Sequence, residues 1–304
     1  MARETLVAQL RLIDPVWGGV CQYSTDSDWD DRRKRGIPKV DQHVYSRENG
    51  WAINALTTLY AVTGEETYLN DAIRAANWIT DHRALTEGGF RHDETDPAGP
   101  YLGDTLYMGR AFLALYAVTA DRIWLQRAEQ AAEFISADFK NEVGYVTSAK
   151  NGALKSNPQV DENADLVRFS NLLHHYTGKT GYQEMAKHAM QYLSVPGIAD
   201  GRGFLLGGIL LADQEIAAPP RHITIVGRKD DAAARALFRA ALQDPSTYKR
   251  VEWWDARDGA LPNNDVEYPG LEQAAAFVCG DKSCSAPIFS PEKLAGLSQK
   301  SAAR

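Results

Sequence analysis

The amino-acid sequence predicts a mainly α protein of repeated antiparallel helical hairpins, followed by a small C-terminal β-α-β appendage. Two observations predict it. The first is a recurrence: Leu59–Ile79 reads LYAVTGEETYLNDAIRAANWI, Leu115–Ile135 reads LYAVTADRIWLQRAEQAAEFI, and Leu173–Leu193 reads LHHYTGKTGYQEMAKHAMQYL. The copies align without gaps and match at Thr63, Thr119 and Thr177, at Tyr68, Trp124 and Tyr182, and at Ala72, Ala128 and Ala186. A fixed repeat decides architecture ahead of any single motif, because each unit buries its apolar face against a neighbour. The second is a change of pattern after residue 205, where short β-branched runs flank one helix.

Residues 2–12 read as a short amphipathic helix, and Asp14–Asp31 as a loop rich in Gly, Asp, Ser and aromatics. The basic run Arg32–Gly36 reads as a solvated connector. In the first repeat, Trp51, Ile53, Ala55, Leu56, Leu59 and Tyr60 fall at helical spacing over 47–62. Thr63-Gly64 stops that helix, and Glu65-Glu66 set carboxylates at the positive end of a partner over 66–82. The joining turn is short, so the pair packs antiparallel. The same reading gives 104–118 with 121–138, and 162–176 with 180–194.

The connections over 83–103 and 139–160 are long, which in compact domains more often marks function. Gly88-Gly89-Phe90, Gly144-Tyr145-Val146 and Arg202-Gly203-Phe204 fall at one register, and Gly18-Gly19-Val20 resembles an earlier member. Antiparallel geometry returns each such loop to the end where the next first helix begins. A site is expected on that face.

Beyond residue 205, LLGGILLADQEIA is a further helix stopped by Pro219-Pro220. His222–Gly227 and Tyr248–Asp255 read as strands around a helix at Asp230–Leu242, Ala274–Cys279 as a strand or short helix, and the last ten residues as frayed. The expected division is a helical-hairpin domain over 1–218, an α/β appendage over 219–290 and a tail over 291–304.

With 304 residues, 44% hydrophobic and 24% charged, the chain can bury a large core. A net charge of −7 disfavours nucleic acid and anionic membranes as partners. No apolar run approaches the roughly 20 residues of a membrane span. The start lacks a signal-peptide core, and three cysteines make no disulfide framework, so a cytoplasmic protein is expected.

One polar position stands out in the repeats. Glu48, Asp104 and Glu162 occupy equivalent places at the starts of the first helices, followed by Asn49, Thr105 and Asn163. The three acids can line one polar rim, or can cap free N–H groups and complement the helix dipole. Arg110 and Arg168 also match and suit interior ion pairs. In Gly88–Asp93, His92 beside Arg91 and Asp93 suits general acid/base work, since histidine titrates near neutrality; an inert loop histidine is the alternative. Trp29, near Asp26 and Asp28, suits an aromatic platform for a polar ligand, or a turn. His174-His175 has no metal-ligand spacing, and neither a metal nor a cofactor is expected. CGDKSC favours two structural thiols at Cys279 and Cys284 over a reversible disulfide, with metal last. HITIVGRKDD puts one glycine where a dinucleotide fingerprint needs three, and Asp230-Asp231 sit where a pyrophosphate would bind, which excludes that reading.

DPVWGGVCQYSTDSDWD, SRENGWAINALTTLY, GGFRHD, GPYLGDTLYMGRAFLALY, Asp161-Glu162-Asn163 and AAAFVCGDKSCSAP together resemble the large thioredoxin-domain proteins that include the spermatogenesis-associated forms. The resemblance runs from Asp14 onward and implies their C-terminal region, an (α/α)6 toroid similar to N-acylglucosamine 2-epimerases and six-hairpin glycosidases. This sequence departs from them in lacking a thioredoxin domain and a Cys-x-x-Cys motif, and in passing almost directly from Trp29 to Val44. About seven helices are legible where a closed ring has twelve, so a partial toroid is expected, open or completed by another chain. The implied function is carbohydrate-active or carbohydrate-binding, epimerase- or isomerase-like, with a sugar or other small polar ligand and with Trp51 or Tyr107 as sugar platforms. The alternatives are a non-catalytic scaffold or redox-linked partner protein, pairing with another protein or a second copy through the incomplete edge, and a degenerate remnant of a longer enzyme. Whether the chain is an enzyme stays open.

Overall fold

The computed structural model describes residues 43–149, 156–280 and 283–302. The expected helix over 2–12, the Asp14–Asp31 loop with Cys21 and Trp29, and the basic run lie outside the described residues. The helices are α1 (Ser46–Thr63), α2 (Glu66–Arg83), α3 (Leu102–Thr119), α4 (Arg122–Asp138), α5 (Val160–Thr177), α6 (Thr180–Leu193), α7 (Gly207–Ala217), α8 (Ala232–Leu242) and α9 (Pro291–Ala302). The strands are β1 (Arg221–Val226), β2 (Lys249–Trp254) and β3 (Ala275–Cys279). The chain is mainly α with a small three-stranded sheet, as the sequence predicts.

The repeated threonine has a physical reason. Thr63 Oγ1 donates to the Leu59 carbonyl at 2.8 Å and accepts from Glu65 N–H at 3.1 Å. Thr177 does the same with Leu173 and Lys179, at 2.8 and 3.3 Å, and Thr119 accepts from Asp121 N–H at 3.2 Å. One hydroxyl therefore serves the end of one helix and the start of the next. The residue after it is left-handed in all three copies: Gly64 at φ 70°, Ala120 at φ 53° and Gly178 at φ 70°. Each donates its N–H four residues back, to Tyr60, Tyr116 and His174. Glu65, read from sequence as part of a charged start, makes no side-chain capping bond.

Two compact units divide the chain. The first comprises residues up to Leu115 with Ile123–Asn141 and Tyr145–Gln159; the second comprises Tyr116–Arg122, Glu142–Gly144 and Val160 onward. In the first, α1 packs on α2, and Ala72, Ala75, Ala76 and Ile79 of α2 are fully buried, as are Leu106, Ala111 and Phe112 of α3 and Ala128, Ala131, Ala132 and Ile135 of α4. The alanines matched by the repeat are core positions, where a small side chain lets helices approach. At Gly50 a Cβ would stand 2.6 Å from the Tyr107 backbone of α3. Gly88, at φ 97°, and Gly89, whose Cβ would meet the Phe134 ring at 2.3 Å, let the 83–101 loop lie against α4.

In the second unit α5 packs on α6 and α7, and the sheet runs β2-β1-β3. β1 and β2 are parallel, joined through α8, and β3 is antiparallel to β1. One face of the sheet meets α8, with Phe238 and Trp253 rings 4.6 Å apart. Asp231 caps α8 by accepting from Ala233 N–H at 2.9 Å, a structural use of the acid that excluded a phosphate. Two expectations are corrected. Of the last ten residues, read as frayed, 295–302 belong to α9, whose preceding Leu294 is buried. Cys279 and Cys284, read as structural thiols, are disulfide-bonded. Their backbones bridge in a tight hairpin, with Gly280 N–H on the Ser283 carbonyl, and that turn sets the two side chains opposite each other.

Candidate functional site

In the first unit the loop carrying Gly88–Asp93 folds back to the start of α1. Ser46, fully buried, donates its N–H to the His92 carbonyl at 3.1 Å and its hydroxyl to the Arg91 carbonyl at 2.6 Å. Thr105 of α3, also buried, accepts from Phe90 N–H at 3.0 Å. Both helix starts thus hold the loop in register. His92 is delivered between two tyrosines, stacked on Tyr45 at 4.5 Å and edge-on to Tyr101 at 6.2 Å.

His92 Nδ1 lies 2.9 Å from Oδ1 of Asp104, which is 1% exposed and also accepts from Arg47 N–H at 3.0 Å. Asp104, expected to cap its own helix or to line a rim, thus caps the first turn of α1. The Asp104 hydrogen bond raises the His92 pKa against the opposing pull of burial, and the charges of Asp104 and Glu48 add to it. Burial lifts the Asp104 carboxyl above the ordinary carboxylate range although both of its hydrogen bonds oppose that. With Nδ1 on the carboxylate, Nε2 of His92 makes no hydrogen bond to any described residue. A buried acid holding one nitrogen and leaving the other free is an arrangement suited to proton transfer.

Glu48 is the third residue of α1, as Asp104 is of α3. Its Oε1 accepts from Arg47 at 3.0 Å, while Oε2 is buried without a hydrogen-bond partner. A buried, unpaired carboxylate oxygen is costly unless something else satisfies it. Trp51 is half exposed, 5.1 Å edge-on from Tyr107, with the Arg47 guanidinium 5.3 Å over its ring.

The other candidates are structural in their contacts. Asn49 is fully buried, with Nδ2 on the Tyr45 carbonyl at 2.8 Å. Arg91 donates to the carbonyls of Glu94 and His82 at 3.1 and 3.0 Å. Asp93 pairs with His43 and, at 3.3 Å, with buried Arg83. Glu162, third residue of α5, and fully buried Asn163 belong to the second unit, where Asn163 Oδ1 packs 2.9 Å from the Cβ position of Gly144. Trp29 lies outside the described residues. Tyr45, Arg47 and Tyr101 escaped the sequence reading; the signal available was an aromatic just before the Ser-Arg-Glu-Asn start of α1 and another just before α3. Arg110 rests over Tyr107 at 5.6 Å, whereas Arg168 forms the interior ion pair the sequence suggested, with Glu215 at 2.8 Å. A cavity of about 370 Å³ behind the loop, lined by Thr80, Leu85, Phe90, Phe112 and Arg127 among others, includes none of Glu48, Asp104 and Glu162.

No group of three or more metal-ligating side chains gathers among the described residues, and none of their helices is long and apolar enough to cross a membrane. No family model matches the chain. It is weakly homologous to human spermatogenesis-associated protein 20, 21% identical over an alignment of 296 residues that covers 88% of this chain and 37% of that protein. Among solved structures it is similar to cellobiose 2-epimerase from Bacillus thermoamylovorans, with TM-score 0.51 and 17% identity over 62% of this chain and 52% of the enzyme. It is also similar to the unsaturated glucuronyl hydrolase of Bacillus sp. GL1, with TM-score 0.50 and 10% identity over 64% and 54%. The helical hairpins are those of the (α/α)-toroid fold. The chain spans just over a third of the curated relative and about half of these enzymes.

Proposed function

We propose that the first unit holds a carbohydrate site in which His92 moves a proton and Asp104 keeps its imidazole oriented. The observation that carries this reading is the buried Asp104 on Nδ1 with Nε2 left free, set between two tyrosine rings. Glu48 Oε2 supplies an acceptor for a sugar hydroxyl, and the exposed face of Trp51 a surface for a pyranose ring. The fold supports a sugar ligand by analogy, since one similar structure epimerises cellobiose and another acts on unsaturated glucuronides. Of those chemistries, an epimerase-like proton transfer beside a sugar carbonyl suits a raised-pKa histidine.

The test is a panel of mono- and disaccharides in deuterated buffer, followed by NMR at the carbon beside the carbonyl and by thermal shift. Exchange into one sugar, reduced at least about 100-fold in His92→Asn, supports the reading. Glycosidic cleavage without exchange would move the assignment to hydrolysis. Neither exchange, cleavage nor any thermal shift would sink it.

A second reading, a protein-docking surface, is favoured by Phe204, Leu205, Leu210 and Leu211, which are 94, 58, 61 and 42% exposed within eight residues.

A further inference from the structure

The three-stranded sheet turns a polar face away from α8. Register places Arg250, His222 and Cys279 in one row across β2, β1 and β3, and Glu252, Thr224 and Phe277 in the next. Five of these six are buried polar groups or half of a disulfide, an unusual content for a small sheet. Against this face opens a cavity of about 630 Å³, lined among others by His175, Pro220, His222, Arg250 and both sulfur-bearing residues Cys279 and Cys284.

A continuous chain of polar contacts runs from the acid to the sulfur. Glu252 Oε2 lies 2.9 Å from His222 Nε2, and that nitrogen lies 2.9 Å from Thr224 Oγ1. Tyr268 donates its hydroxyl to Thr224 Oγ1 at 2.7 Å and stands 3.9 Å from Cys279 Sγ. Arg250 fixes the carboxylate at 2.7 Å and is itself held by both oxygens of Asp265, at 2.7 and 3.1 Å. His222 lines the cavity, and its Nδ1 makes no hydrogen bond to any described residue. Burial pushes the Tyr268 hydroxyl up to about 12, so it remains a donor. The two sulfurs are unequal: Cys279 is 6% exposed, whereas Cys284 is exposed.

We infer that this cavity is a thiol–disulfide exchange site, in which a small thiol attacks Cys284 and the chain from His222 to Tyr268 protonates the departing Cys279. The incoming thiol gives its proton to His222 Nδ1 as its sulfur bonds to Cys284 Sγ. The bond between the two cysteine sulfurs breaks, and its electron pair leaves on Cys279. The Tyr268 hydroxyl turns from Thr224 to Cys279 and protonates it, Thr224 passes its own hydroxyl proton to Tyr268, and His222 Nε2 gives its proton to Thr224. A second thiol then attacks the small-molecule sulfur of the mixed disulfide and frees Cys284 as a thiol. Two thiols are thereby oxidised to one disulfide and the protein disulfide is reduced to two thiols. Leaving-group stabilisation matters because exchange is faster the better the departing sulfur is accommodated. This inference stands apart from the carbohydrate reading, which uses the first unit alone.

The experiment uses the folded 304-residue chain with millimolar dithiothreitol, iodoacetamide quenching and mass-spectrometric mapping of Cys279 and Cys284. Both cysteines are expected to become alkylated while the far-ultraviolet circular dichroism is unchanged. Tyr268→Phe is expected to slow that reduction about tenfold at unaltered melting temperature. Thr224→Val interrupts the chain one step earlier and is expected to give the same slowing, so either variant suffices if the other fails to fold. A disulfide that opens only in denaturant, or folded variants that reduce at the wild-type rate, would overturn the inference.

Discussion

Asp104 shows how one side chain can serve the fold and a reaction together. It accepts from the first turn of α1 and from His92 with the same oxygen, so a neutral amide there changes both. The His92 pKa is raised above its ordinary 6.5 in the folded state. A raised histidine contributes stability fully below its unfolded pKa, and loses it as pH rises through the higher folded value. Asp104→Asn is therefore expected to lower the NMR titration midpoint of His92 and to remove that stretch of pH-dependent stability. It should also cost about 1 kcal/mol through the weaker acceptor at Arg47 N–H. An unchanged His92 midpoint would show that the carboxylate does not govern it. The types at this site were legible in sequence, since Glu48, Asp104 and His92 stand out by repeat position and neighbourhood. Tyr45 and Tyr101 were not, because their role arises only when the 83–101 loop returns to the helix starts. Arg91 and Asp93, beside His92 in sequence, direct their polar atoms to His82, Glu94, Arg83 and His43 instead. Adjacency along a loop does not decide which side chains share a face.

At the scale of elements, the hairpin turn explains why the repeat could be read so closely. Threonine followed by a left-handed residue is a local solution, complete within a few residues, so it leaves a local signature. Ala120 is the departure, holding φ 53° with a Cβ where its two counterparts are glycine. Ala120→Gly relieves that strain but loosens the unfolded chain, and should leave a net gain of up to about 1 kcal/mol. Gly64→Ala and Gly178→Ala should each cost about as much. Chemical denaturation of the three variants tests the set, and a destabilised Ala120→Gly would contradict the strain argument. Thr177→Val removes both hydroxyl contacts from a turn and should cost about 1 kcal/mol. Gly50→Ala acts differently, since a Cβ 2.6 Å from the Tyr107 backbone must push α1 from α3. A loss of about 1–3 kcal/mol is expected, read in the same denaturation series. Helix α9 was missed although Ser290-Pro291-Glu292 carries a start signal: Ser290 Oγ accepts from Lys293 N–H at 3.3 Å, and proline suits a first helical position. The disulfide was misjudged for another reason. Four residues between cysteines says little until the chain is known to turn as a hairpin after β3, which makes Cys279 and Cys284 cross-strand partners.

For the molecule as a whole, the fold class followed from periodicity, whereas the partner surface did not. Ile209 and Ala212 of α7 are buried. Leu210 and Leu211 of the same helix are exposed, as are Phe204 and Leu205 just before it. When apolar residues stand on more than one side of a helix, the sequence gives no clue to which side lacks a neighbour. Such an exposed run is more than the scattered single residues a soluble surface tolerates, and a second copy of this chain offers the same run for self-association. Sedimentation velocity over a 100-fold range of concentration is expected to show a mass that rises with concentration. The pair Leu210→Glu and Leu211→Glu, both already exposed, should return the chain to monomer with its melting temperature kept within a few degrees. A wild-type chain that stays monomeric throughout would remove self-association from consideration. Self-association that persists in the double variant would place the interface elsewhere, since two carboxylates at its centre would leave buried charges without partners.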